Sequence, residues 1–279
     1  MRSATLFAIV ILLSAMFMVP GMGWAQGEVI QSFSSGSIDW STGRVVAVGI
    51  GAPPADAANM AQARAMARRA AITVARRNLL EITQGVQVDS ITLVKDFIVK
   101  SDVVRTSVQG VVRNAQVIDT AYMSDGSVEV TLMMSLNGEF ANVVLPPPPV
   151  GVLPPEVPTI PPPAAAQVYT GLVVDARGLG ARPAMSPKIL DENGKELYGS
   201  AMVNREFAVQ QGMVGYTKDL SAARANMRVT DNPFVVKAVR VAGASKCDLV
   251  ISKSDASRLS SAGEHLSFLQ KARVMFVLD

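Results

Sequence analysis

The chain has 279 residues, 49% hydrophobic and 18% charged, with a formal net charge of +3. That balance fits one large or two ordinary folded domains and excludes a disordered chain. The small positive surplus contains no dense Lys/Arg block, so it leaves no nucleic-acid footprint. The single cysteine, Cys247, excludes an internal disulfide, and with the single histidine, His265, it excludes a Cys/His zinc site. Aromatic residues at 5% are too few for a base- or sugar-stacking platform.

The chain opens MRSATLFAIVILLSAMFMVPGMGWAQ. Arg2 supplies a positive start, residues 6–19 an apolar run, Pro20-Gly21 a break, and Gly23-Trp24-Ala25 a small-residue cleavage site. Residues 1–25 read as a secretory signal peptide. The run is shorter than the ~20 residues a membrane span needs, which favours cleavage over anchoring. No cysteine stands at the cleavage site, so no covalent lipid anchor is expected there. The expected location is the periplasm, with outer-membrane association left open.

A first domain is expected over residues 37–145. RVVAVGIG, residues 44–51, reads as a strand. Pro53 and Pro54 suit the first turn of a helix over residues 55–84, stopped by Gly85. Met60, Ala63, Ala67, Ala70 and Val74 recur at helical steps and mark its expected buried face. A face this rich in alanine lets the helix lie close to a sheet. Arg64, Arg68, Arg69, Arg76 and Arg77 fall largely off that face, as a solvated surface or one that meets an anionic envelope component. Residues 86–108 mix β-branched and polar residues and read as a short strand followed by a helix. QGVVRNAQVIDTAY and GSVEVTLMMSL then form a hairpin around Ser124-Asp125-Gly126, with Val128, Val130, Leu132, Met134 and Leu136 on one face. The expected fold is α+β, with helices packed on a small antiparallel sheet.

ARRNLLEITQGVQVDS, SDVVRTSVQGVV and the hairpin VRNAQVIDTAYMSDGSVEVTLMMSLNG resemble the domain of the LPP-twenty lipoprotein family over residues 37–140. The amino-terminal domain of the flagellar assembly protein FlgT is similar in plan. The resemblance implies a small bacterial outer-membrane-associated domain with no shared catalytic residues. This chain departs from the lipoprotein members in lacking the lipidated cysteine.

Residues 146–166 are proline-rich, which prevents helix or sheet interior and favours polyproline II. About 18 such residues at ~3.1 Å each could hold two domains ~50 Å apart. A mixed α/β domain is expected over residues 167–279. Its strands are residues 168–176, a hairpin over 187–199 around Asn193-Gly194, FVVKAVRV, CDLVIS and RVMFVLD. Its helices are REFAVQQG, KDLSAARAN and a stretch capped by Ser254.

The stretch LVVDARGLGARP, residues 172–183, has a strand followed by glycines and charge, as phosphate-binding loops do. Gly178 and Gly180 lack the third glycine of a dinucleotide fingerprint, Pro183 and Pro187 oppose a following helix, and no Gly-Lys-Ser/Thr is present. It therefore reads as a strand leaving into a glycine-proline turn, with Asp175, Arg177 and Arg182 kept as a candidate ligand or partner site. Cys247 reads as core. His265 lacks a G-x-S-x-G serine to serve. Asp191 and Glu192 read as turn carboxylates in water, and Trp40 as a cover on the first domain's core edge. No catalytic residue, metal ligand or cofactor is assigned. The expected function is a non-enzymatic role in the cell envelope. It would dock to envelope proteins or outer-membrane components, with oligomerisation left open and no nucleic acid bound. The alternatives are a flagellar basal-body accessory, and an enzyme or ligand-binding protein with its site near Asp175 and Arg177.

Overall fold

The computed structural model describes residues 27–146, 169–261 and 267–279. The expected signal peptide, the proline-rich segment beyond Pro146 and His265 lie outside them. No helix among the described residues is long and apolar enough to cross a membrane.

The architecture is α+β with two sheets. The first is antiparallel, in the order β1-β2-β3-β5-β4. Its strands are β1 (Ile30–Phe33), β2 (Gly36–Asp39), β3 (Arg44–Gly51), β4 (Gln116–Tyr122) and β5 (Val128–Ser135). β5 alternates buried and half-exposed residues as its sequence predicts. β1 and β2 were not anticipated, because IQSF and GSID are short and lack an apolar alternation.

Helix α1 (Met60–Gln84) covers one face of this sheet and starts later than the sequence suggests. Asn59 accepts the Gln62 amide at 2.9 Å and the Gln62 side chain accepts the Ala58 amide at 2.9 Å, so these two bonds fix the start beyond Pro53 and Pro54. The buried face also differs. It runs Ala63, Ala67, Ala71, Ala75, Leu79 and Ile82, whereas Met60 is 66% exposed and Ala70 is exposed. The four-residue step wins because β3 presents glycines opposite it. A Cβ on Gly49 would lie 2.2 Å from the Ala75 nitrogen, and one on Gly51 2.1 Å from the Ala67 oxygen. Helix and strand backbones therefore touch, and Asn78 Nδ2 donates to the Val48 carbonyl at 2.7 Å.

Residues 86–113 form two helices, α2 (Val94–Lys100) and α3 (Asp102–Arg113), instead of a strand and one helix; a single bridge joins Gln87 and Leu93. Ser101 caps α3 through the Val104 amide. α3 absorbs residues 109–113, expected in the hairpin, because Val108, Val111 and Val112 share one buried helical face. A short helix, α4 (Glu139–Val144), follows β5.

The second sheet is mixed, in the order β8-β7-β11-β10-β6-β12-β9. Its strands are β6 (Gly171–Asp175), β7 (Ile189–Leu190), β8 (Glu196–Tyr198), β9 (Gly215–Thr217), β10 (Pro233–Ala242), β11 (Asp248–Ile251) and β12 (Val274–Val277). Central β6 pairs in parallel with β10 and β12 and is buried along most of its length, as a strand covered on both faces requires. The helices are α5 (Arg205–Gln211), α6 (Leu220–Arg224), α7 (Lys253–Ser261) and α8 (Ser267–Gln270). α7 is capped by Ser252, not Ser254: Ser252 Oγ accepts the Asp255 amide at 3.1 Å.

The two sheets are not held apart. Gln87 and Val88 carbonyls accept the Met185 and Ser186 amides at 3.0 and 2.7 Å, and Val209 accepts the Gly138 amide at 2.7 Å. Arg205 donates to the Pro146 and Asn142 carbonyls at 2.9 and 2.8 Å. One hydrophobic core runs through both halves. Cutting the chain at a protease site inserted between Pro146 and Tyr169 should therefore leave the halves associated as one particle in size-exclusion chromatography. Separate elution of the fragments would show that the junction does not hold them.

Candidate functional site

Asp175 ends β6, at the carboxyl side of parallel strands, where open α/β sheets bind ligands. Beyond it the chain turns through Gly178 and Gly180, whose φ of +81° and +61° favours glycine. These turns aim two amides at one point, and the chain fills that point itself. Asp279 Oδ1 accepts the Gly178 amide at 2.6 Å and Oδ2 accepts the Gly180 amide at 3.2 Å. The strand-and-glycine stretch thus builds a small anion receptor whose occupant is a carboxylate about a hundred residues away in sequence.

Arg177 Nε and Nη2 donate to the two Asp175 oxygens at 2.8 and 2.7 Å. The bidentate pair holds the Asp175 carboxyl below its ordinary pKa, and Lys237 adds to the effect. The Arg177 guanidinium is correspondingly raised, by Asp175 first and more weakly by Asp219 and Asp279. Arg182 donates its backbone amide to Lys246 O at 2.9 Å and, with Asp279, borders a cavity that neither Asp175 nor Arg177 lines. The structure therefore brings Asp175 and Arg177 together and leaves Arg182 apart.

A carboxylate with a lowered folded-state pKa stabilises the fold above its unfolded pKa and loses that contribution as pH falls through the folded value. Asp175→Asn should accordingly lower the melting temperature at pH 7 by an amount worth up to about 1 kcal/mol, since the pair is partly exposed. The gap from wild type should narrow as pH is taken from 7 to about 3. A gap independent of pH would assign the effect to packing.

The junction between the sheets carries the remaining concavities. Trp40 is 6% exposed and meets Tyr216 edge-on at 5.9 Å between centroids; Tyr216 meets Phe276 likewise at 6.0 Å. Trp40 therefore seals the seam between both halves, not the edge of the first alone. A cavity of about 360 Å³ on one side is bordered by Ser41, Asn137, Gln210 and Arg228. Another, of about 600 Å³, is bordered by Gln31, Gln87, Arg182, Ser245 and Asp279.

The polar groups around the seam are committed to the fold. Arg228 donates to the carbonyls of Gly212 at 3.1 Å and Ala272 at 2.8 Å, and also to that of Gln211. Tyr216 donates to Ala184 O at 2.6 Å and accepts the Ala184 amide at 3.0 Å, and burial raises its pKa well above the ordinary value. Sequence reasoning missed Arg228, Tyr216 and Asp279, whose partners lie far along the chain.

Cys247 is 1% exposed, and burial pushes its thiol up to about 12, so it is neutral and enclosed at physiological pH. Asp191 is buried rather than open to water, its Oδ1 accepting the Asn193 and Lys195 amides at 2.9 and 2.8 Å. Glu192 accepts the Lys253 amide at 3.0 Å at the start of α7. Among the described residues no cluster of His, Cys, Asp and Glu is placed to hold a metal.

No curated protein matches the chain. Residues 171–279, from the first residue of β6 to Asp279, match the family described as Treponema pallidum Tp0624, second domain, so that segment of the chain is similar to that domain.

Proposed function

We propose that this chain is an exported, non-enzymatic protein of the bacterial cell envelope with a structural or docking role. One observation carries the reading. The amides of Gly178 and Gly180, at the strand ends where a ligand would sit, hold the chain's own Asp279, while Arg177 holds Asp175. Among the described residues this ligand-like geometry ties the fold together. The amino-terminal leader supports export, and the resemblance of residues 37–140 to the LPP-twenty family supports an envelope role, with the flagellar accessory as a special case.

The test has two arms. Fractionation of producing cells with amino-terminal sequencing should recover protein starting at Gln26 from the periplasmic or envelope fraction; cytoplasmic protein starting at Met1 overturns export. Thermal unfolding with phosphate, nucleotides or acidic glycans should show no shift. A rise in the wild type that disappears in Arg177→Gln would favour the ligand-binding alternative, with Asp279 displaced from the loop.

A further inference from the structure

The outward side of α1 is the least explained surface of the molecule. Arg64, Arg68, Arg69, Arg76 and Arg77 lie on this one helix, whose single acid is Glu81. None of the five makes an ion pair among the described residues, whereas Arg105, Arg177 and Arg258 each do. The arrangement works against the helix itself. Arg64 and Arg68 are like charges one turn apart, which is destabilising.

Beside these arginines the surface is apolar. Arg64 and Arg68 share an open depression of about 450 Å³ with Tyr122, at the end of edge strand β4. Arg64 also borders a second depression, of about 520 Å³, with Met60 and Met123. Met60 is 66%, Tyr122 57% and Met123 41% exposed. Asp125, also in this depression, is engaged by Ser127 through its hydroxyl at 2.7 Å and its amide at 2.9 Å. Flexible thioethers and an amphipathic phenol next to unpaired guanidinium groups suit the boundary between lipid headgroups and acyl chains.

We propose that the α1 arginine face, with Met60, Tyr122 and Met123, docks the protein on an anionic lipid surface, the arginines meeting lipid phosphates and the apolar side chains entering the interface. This names the partner for the docking role proposed above and rests on that reading. The test with purified protein does not depend on export, so the two can fail separately.

The described fold begins at Gly27, so a chain starting at Gln26 keeps every element and omits the apolar leader. This chain should co-sediment with vesicles of phosphatidylcholine and phosphatidylglycerol at low salt, but not with phosphatidylcholine alone. Release is expected near 1 M salt, where the screening length falls to about 3 Å. Each arginine near an anionic surface is worth roughly fivefold in binding, so Arg64→Gln/Arg68→Gln/Arg69→Gln should weaken binding about a hundredfold. Lys95→Gln/Lys100→Gln/Arg113→Gln changes net charge equally and should leave binding within a few-fold. Both triple variants should unfold with cooperative transitions like the parent, and free phosphate should not compete. Equal loss in both triples, unchanged binding in the first, or pelleting with neutral vesicles would overturn the proposal. So would pelleting without vesicles, the mark of self-association along the β4 edge.

Discussion

Gly49→Ala should cost this protein most of its stability, and Gly49→Val should prevent it from folding. A Cβ at Gly49 would stand 2.2 Å from the Ala75 nitrogen, 2.4 Å from the Ala71 oxygen and 2.7 Å from the Ala75 Cα. All three are backbone atoms of a 25-residue helix, so no side chain can swing away to make room. Relief requires α1 to lift from β3, which opens the packing of Ala67, Ala71, Ala75 and Leu79. Overpacking against backbone and loss of that contact together should exceed about 4 kcal/mol. Thermal unfolding and soluble yield measure the effect. Ile50→Ala is the control, since this neighbour on the same strand is 56% exposed and should move stability by less than about 1 kcal/mol. A Gly49→Ala protein melting within a few degrees of wild type would show that helix and strand are further apart than described.

Arg228→Ala should have the next largest effect. Its guanidinium gathers the carbonyls of Gln211 and Gly212 at the end of α5 and that of Ala272 just after α8. These carbonyls lie where helices present partial negative charge and unsatisfied acceptors, and one planar cation serves all three. Removing it leaves acceptors without donors beside a cavity at the seam. The loss should be on the order of 3 kcal/mol, or roughly 6–12 °C in melting temperature for a chain of this size. Arg228→Lys should fall between, because an ammonium keeps the charge but not the fork. If Lys and Ala cost the same, geometry matters and charge does not; if neither costs anything, the clamp carries no stability.

Sequence made the elements with strong local period legible and left the others hidden. β5 and the hairpin could be read because alternation and an Asp-Gly turn agree, and α1 because of its length and Gly85. Its face was misassigned because alanines at both three- and four-residue steps leave the period ambiguous. Only the glycines of β3 decide between them, and they lie outside the helix. Residues 109–113 favoured a strand through Val111 and Val112, but the helical spacing of Val108, Val111 and Val112 won once a core lay beside them. β1, β2 and β9 are too short and polar to announce themselves. In the candidate site the Asp175–Arg177 pair is nearly visible, since the residues are two apart. The Asp279 carboxylate in the glycine loop and the Trp40–Tyr216 contact are not, because each joins segments on the order of a hundred residues or more apart and only the fold sets them side by side.

The order of strands in the second sheet bears on how the chain acquires its shape. β12 is made after every other strand, yet it stands inside the sheet, between β6 and β9. Until residues 274–277 emerge, β6 has one vacant side and β9 has no strand to pair with. Both gaps close only through contacts distant in sequence, a topology that folds slowly compared with one built from neighbours. Residues 274–277 must therefore be made before this half can consolidate, and until then unpaired strand edges stay open to other molecules. Synthesis halted before residue 274 gives a chain that lacks an interior strand rather than a frayed tail. Such a product has no route to the native sheet and stays within reach of proteases.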